Sequence, residues 1–192
     1  MRSLLVCGLA ALAYFVAGPF FRADGVSAGT AVRLEVSDLA FNSALIVEGN
    51  ILTSRTIEID GVVATEYLLE VNRTFEGSDQ TYRTICLPGG VREDGSGMLL
   101  AGMPMVFEGD TSLFFLTSES TNGLRMPIGL AQGKFDITRM SDGSKRLSRD
   151  ASDVTLINPW TGSPQNPVGR AVYDYAEVVA DIERGLAKKR GH

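Results

Sequence analysis

Apolar and polar positions alternate through the middle of this chain. Leu45, Val47, Ile51, Ile57 and Ile59 fall on one parity, and Glu48, Asn50, Ser54 and Glu58 fall on the other. A period of two marks a strand with one face in a core and one in solvent. Gly49 interrupts the apolar parity and predicts a bulge or a sharp bend. After the turn dipeptide Asp60-Gly61, residues Tyr67, Leu69, Val71 and Phe75 share a parity, so the two runs read as a hairpin. A third strand over residues 81–87 stops at Pro88-Gly89-Gly90. Residues 91–98 read as a polar, glycine-rich loop. Residues 103–107 and 112–116 read as strands on either side of Glu108-Gly109-Asp110. Leu113-Phe114-Phe115-Leu116 is apolar on both parities, which suits burial on both faces. Residues 128–138 continue as extended chain, and Ser141-Asp142-Gly143-Ser144 turns towards a return strand near Arg146.

Helical periodicity occurs at two places. Ser37-Asp38 can cap a short turn through Ser43. Near the end, Tyr175, Val178, Val179, Ile182 and Leu186 form an apolar stripe, with Asp174 and Glu177 at capping-box spacing. Before it, residues 157–170 hold three prolines and two glycines and read as a loop carrying Trp160. These elements predict a mainly β fold: a small Greek-key barrel with a C-terminal helix packed on it. A β-sandwich fits the same pattern, and periodicity alone does not separate the two.

The first 28 residues differ in kind. A charged start, an apolar run from Leu4 to Phe21 and Val26-Ser27-Ala28 have the order of a signal peptide with a small-x-small cleavage site. The alternative is an uncleaved anchor, since the run is borderline for a bilayer span. Gly18 and Pro19 sit where such an anchor needs its last turn, which favours cleavage after Ala28. The expected organisation is residues 1–28 as signal peptide, 29–170 as the β domain with its terminal loop, and 171–192 as the helix. The destination is periplasmic or extracellular, with no membrane attachment after cleavage.

Cleavage removes Arg2, Arg22 and Asp24 and takes the net charge from −5 to −6. A nucleic-acid partner is excluded on that balance, because binding one needs a basic face for the phosphates. Lys188-Lys189-Arg190 is the one basic cluster and reads as a helix end complementing its own dipole. Cys86 is the single cysteine left, so no intramolecular disulfide forms, and the single histidine is the terminal His192. Without further soft ligands or an imidazole, zinc sites and serine or cysteine triads lack their components. No cofactor is expected. A carboxylate-dependent hydrolase remains as an alternative, with Glu48, Glu58, Glu66 and Glu70 as candidates, though a solvated sheet face explains all four. Cys86 reads as a buried small hydrophobe rather than a nucleophile, and Asn72-Arg73-Thr74 has the letters of a glycosylation sequon.

Four motifs in order carry a resemblance: Ile46-Val47-Glu48-Gly49, Leu87-Pro88-Gly89-Gly90, Gly102-Met103-Pro104 through Phe107-Glu108-Gly109-Asp110, and Gln132-Gly133-Lys134-Phe135. Over roughly residues 37 to 140 the chain resembles a group of exported bacterial and archaeal proteins. They have an oligonucleotide/oligosaccharide-binding (OB) barrel of the netrin-like type and are sometimes found with matrixin-like metalloproteases. The resemblance implies a non-enzymatic binding domain with a secreted or envelope protein, such as a protease, as partner. A purely structural envelope protein is a further alternative. The tissue inhibitors of metalloproteinases share the netrin-like barrel and chelate the protease zinc through an N-terminal cysteine. That chemistry does not transfer here, where the expected mature terminus is Gly29-Thr30. For protein binding, two loops have suitable side chains: residues 88–102, with Arg92 and exposed Met98 and Leu99, and residues 157–170, with Trp160. Trp160 has a second reading as a plug for one end of the barrel.

Overall fold

A computed structural model describes residues 29–165 and 170–191. The expected leader, residues 1–28, and His192 lie outside the described residues. The chain enters as β1 (Thr30–Val32) and a short helix, α1 (Val36–Asn42). The expected Ser37-Asp38 cap is displaced, because both residues lie inside the helix. Asp38 Oδ2 instead accepts the Glu35 N–H at 3.4 Å.

The predicted hairpin forms from β2 (Leu45–Ile59) and β3 (Val62–Glu76). Asp60 and Gly61 take φ of 49° and 79°, the pair of left-handed residues that a two-residue hairpin turn needs to match strand twist. Opposite β2 and β3 the register slips three times, leaving Phe75, Asn72 and Leu52 without cross-strand partners. Each extra residue bends the ribbon and raises its twist. Gly49 sits at the middle slip, and a Cβ there would stand 2.7 Å from the Glu70 carbonyl oxygen. The expected bend is therefore present, and it needs glycine for its close approach.

β4 (Tyr82–Pro88) follows as expected, but residues 91–98 are not simply a loop. β5 (Gly90–Val91) and β6 (Gly97–Met98) make a two-stranded ribbon. Residues 103–107, expected as a strand, are irregular. Pro104 has no N–H to give a ladder, which is the local reason. β7 (Thr111–Leu116) is buried on both faces, as its apolar run predicts. A 3₁₀ turn at Leu130–Gly133 replaces the first half of the extended stretch expected over 128–138, β8 (Lys134–Arg139) completes it, and β9 (Lys145–Arg149) is the return strand expected near Arg146. Within the expected 157–170 loop lies order: β10 (Thr155–Ile157) pairs with β1 in parallel and with β11 (Pro164–Gln165) antiparallel. β12 (Ala171–Asp174) then precedes α2 (Tyr175–Arg190). The 171–192 segment thus begins as a strand rather than as helix, and the helix starts after its N-cap Asp174, where the Asp174–Glu177 spacing places it. The protein is mainly β with a C-terminal helix.

The main sheet is antiparallel, in the order β12-β9-β8-β7-β2-β3-β4. As a ladder it is open. Its β4 edge is nevertheless carried onward: Cys86 bridges Leu124 in parallel, and the Arg125 N–H donates to the Cys86 carbonyl at 2.9 Å. That stretch also runs antiparallel to β7, where Leu116 bridges Pro127 and the Thr117 N–H reaches Met126 O at 2.9 Å.

Two cores result. One lies inside the curl of the sheet and holds Val47, Ile51, Leu69, Ile85, Leu87 and Phe114. The other lies between the sheet and the two helices. There Ile46, Leu113, Phe115 and Phe135 meet Leu39 of α1 and Val178, Ile182 and Leu186 of α2. The apolar stripe of α2 therefore packs as its spacing predicts. Polar contacts fix both ends of the helix. Tyr175 donates to Glu48 Oε2 at 2.6 Å, and Lys189 Nζ donates to Ser43 O at 2.6 Å and Glu76 Oε1 at 2.7 Å. Lys188 lies over the Phe41 ring at 5.1 Å, so the basic cluster serves the fold.

α1 and α2 cross at Gly185, where an added Cβ would lie 2.2 Å from Ser37 O and 2.8 Å from Ala40 Cβ. Gly185→Ala gains about 1 kcal/mol of helix propensity. Backbone cannot yield like a side-chain tip, so the overpacking cost of roughly 1–3 kcal/mol, or more, is expected to win. A lowered urea midpoint with unchanged m-value checks this.

Candidate functional site

The segment from residue 99 to 110 has no regular structure, yet it is tied down along its length. Gly102 takes φ of 79° and its carbonyl accepts the Ala131 N–H at 2.8 Å. The Met105 carbonyl accepts Lys134 Nζ at 2.9 Å. Glu108 Oε1 takes both the Ser54 N–H, at 2.6 Å, and the Ser54 hydroxyl, at 3.0 Å. The Gly109 N–H donates to Ile51 O, and the Ile51 N–H to Asp110 O, closing the segment onto β2. Backbone held this way cannot turn its apolar side chains inward on demand. Leu99 is 87% exposed, Met105 70% and Phe107 58%. Contiguous exposed apolar patches mark interaction surfaces, and Met105 and Phe107 line one and the same cavity.

Beneath this segment lies a cavity of about 410 Å³. Lys134, at the start of β8, is nearly buried and pairs with Asp136 as well as with the Met105 carbonyl. Arg170 reaches the other Asp136 oxygen at 3.3 Å and Ser148 Oγ at 3.1 Å. Asp110, Asp150 and Asp153 complete the polar wall, and Met103 and Pro104 supply apolar wall. Ser152 donates to Asp150, its hydroxyl first and then its N–H, and holds that carboxyl below the usual range. It therefore stays ionised at neutral pH.

The residues expected from the sequence lie elsewhere. Arg92 pairs with Glu58 at 2.7 Å on the β5–β6 ribbon, and its Nη1 reaches Ser96 Oγ at 3.3 Å. Met98 is half-buried in β6 rather than exposed. Leu99 is exposed, as expected. Neither Arg92, Met98 nor Leu99 lines the cavity. Trp160 is 87% exposed on a turn whose Asn158 Oδ1 accepts its N–H at 2.8 Å, so it plugs nothing. It lines a separate depression of about 300 Å³ with Arg33, Asp38 and Gln165. Trp160→Ala is expected to change unfolding free energy by less than about 0.5 kcal/mol. A plug removed from a core would lose roughly 3–5 kcal/mol.

Glu48 is the largest correction. Expected on a solvated face, it is fully buried between the sheet and α2. Lys145 Nζ donates to its Oε1 at 2.6 Å and lies 4.6 Å from the Tyr175 ring centre. Burial, and next the Glu48 carboxylate, push the Tyr175 hydroxyl up to about 12, against the pull of Arg73. The stability gained by keeping Tyr175 neutral is present below pH 10, the unfolded tyrosine value, and drains away as pH rises towards 12. Urea midpoints between pH 9.5 and about 11.5 should therefore fall more steeply in the parent than in Tyr175→Phe. Glu58, Glu66 and Glu70 keep surface partners in Arg92, Arg55 and Asn50. Cys86 is half-buried rather than buried. Burial, then Glu66 and Glu119, raise its thiol, which opposes use as a nucleophile.

Comparison with protein-family models, with curated proteins and with solved structures gave no match. Function therefore rests on the geometry. Among the described residues no helix is long and apolar enough to cross a membrane, and no group of His, Cys, Asp or Glu could hold a metal ion. The apolar wall of the cavity was missed because residues 103–107 read as a strand. Pro104 is the signal that could have exposed the error.

Proposed function

We propose that this chain is an exported, non-enzymatic binding domain that docks another secreted or envelope protein, such as a matrixin-like protease. The observation that carries the reading is the fixed display of Met105 and Phe107. A loop already held in its binding shape loses little entropy on association, so its exposed apolar area converts to affinity efficiently. The acidic charge of the chain works against nucleic acid as the partner.

The OB-type, netrin-like reading of the barrel draws support from the path β2-β3-β4, residues 124–127, β7 and back to β2. That path includes one parallel step, at Cys86–Leu124, and a long, bulged first strand shared by both halves. A sandwich has no need of either. The leader, a charged start followed by an apolar run and Val26-Ser27-Ala28, supports delivery to the periplasm or the medium.

Photo-crosslinking tests the docking. Benzoylphenylalanine is placed at Phe107 or, as control, at Tyr82, which is equally exposed on edge strand β4. In the exported fraction of the native host, a discrete adduct is expected at position 107 and none at 82. Mass spectrometry of the adduct should show a mature start at Gly29. Identical adducts at both positions, or none at 107, would refute the reading.

A further inference from the structure

We infer that the cavity under the 103–107 segment receives an arginine side chain of the docked partner, an inference that rests on the docking reading above. Four carboxylates face two cations there: Asp110, Asp136, Asp150 and Asp153 against Lys134 and Arg170. Both cations make their close ion pairs with the same carboxylate, Asp136, and Arg170 acts on Asp150 only as a more distant charge. No ion pair reaches Asp110, Asp150 or Asp153 among the described residues, so the cavity keeps an excess of negative charge where an apolar rim meets it.

The form of the missing cation follows from how those carboxylates are spread. They do not gather into a group that could hold a metal ion, so a point charge gains little. A guanidinium is planar, weakly hydrated and offers five donors in a fixed fork, so it can serve separated acceptors at once. The apolar wall of Met103, Pro104 and Met105 suits the methylenes of its stem, and the Phe107 ring at the rim suits its face. The volume of about 410 Å³ lies within the range of sites that enclose small organic groups, so one long side chain fits. An anion is the poorer match. Lys134 is buried and already engaged by Asp136 and the Met105 carbonyl, so an anion would have to displace one of them.

The partner segment is therefore an arginine flanked by apolar residues, the arginine in the cavity and the apolar side chains on Met105, Phe107 and Leu99. Titrations of ¹⁵N-labelled residues 29–192 with three blocked amino acids test this: acetyl-arginine methylamide, its neutral isostere acetyl-citrulline methylamide, and acetyl-leucine methylamide. The arginine probe should shift the amides of Asp110, Asp150 and Asp153 in a saturable way, at least tenfold more tightly than citrulline. Asp150→Asn with Asp153→Asn should abolish the shifts. Asp110→Asn, whose backbone anchor to Ile51 is untouched, should weaken them while leaving the spectrum dispersed. Equal response to arginine and citrulline, or a response surviving both sets of substitutions, would overturn the inference. If leucine shifts Met105 and Phe107 while arginine leaves the aspartates unmoved, the docking surface stands and the arginine pocket falls. If arginine binds and leucine does not, the pocket stands and the apolar docking surface falls.

Discussion

Ile182→Asp should leave the protein largely unfolded at room temperature. Ile182 is fully buried in the middle of α2, against Ile46, Leu113 and Phe115 of the sheet. The substitution removes apolar packing, at roughly 2–5 kcal/mol for a large-to-small change. It also buries a carboxylate with no partner, at several kcal/mol more unless the site opens to water. Domains of this size have about 5–15 kcal/mol to lose. Far-UV circular dichroism through a urea series measures the loss, with Ile182→Val as the mild control at about 1 kcal/mol. A parent-like midpoint for the aspartate variant would mean that α2 does not pack on the sheet.

Glu48→Ala should come second. Removing the carboxylate strands Lys145 and the Tyr175 hydroxyl beneath the helix, and breaking a buried pair from one side costs roughly 3–5 kcal/mol. The side chain of Lys145 is 28% exposed, against 1% for Glu48. Lysine can therefore swing towards water when its partner goes, which holds the alanine variant to the lower part of that range. Lys145→Ala has no such relief, because it leaves a sealed carboxylate with a tyrosine as sole donor. Its loss should match or exceed that of Glu48→Ala. The double variant should cost less than the two single losses added, by about 1–3 kcal/mol of coupling. Strict additivity would show that the pair seen in the structure is not formed in solution.

Local signals in the sequence marked the hairpin, the Gly49 bend, β4, β7 and the α2 stripe because each rests on chemistry within a few residues. Glu48 escaped because parity assigns one face to core and one to water. That holds for a sheet covered on one side. β2 is covered on both sides over its first half, by the curl of the sheet and by the helices, and exposed on both over residues 52–55. Ile46, on the parity assigned to water, was the one local sign of this. The register slips add to the difficulty. Phe75 shares a parity with Leu69 and Val71 but packs in the other core, because the unpaired Asn72 between them reverses the alternation. The cavity was invisible for a different reason. Its carboxylates come from residues 110, 136, 150 and 153, and only the folded chain brings them around Lys134.

The joint between Glu48 and Tyr175 spans 127 positions of sequence, and its consequence is one of timing. A chain that emerges N-terminus first completes β2, β3 and β7 while the helix that must cover them is still to come. Ile46, Leu113 and Phe115 then wait, uncovered, for Val178, Ile182 and Leu186. Loop closure over such a separation is slow compared with hairpin formation. The native state is consequently sealed from the C-terminal end, and a truncation that removes α2 would leave one whole layer of the molecule without its lid.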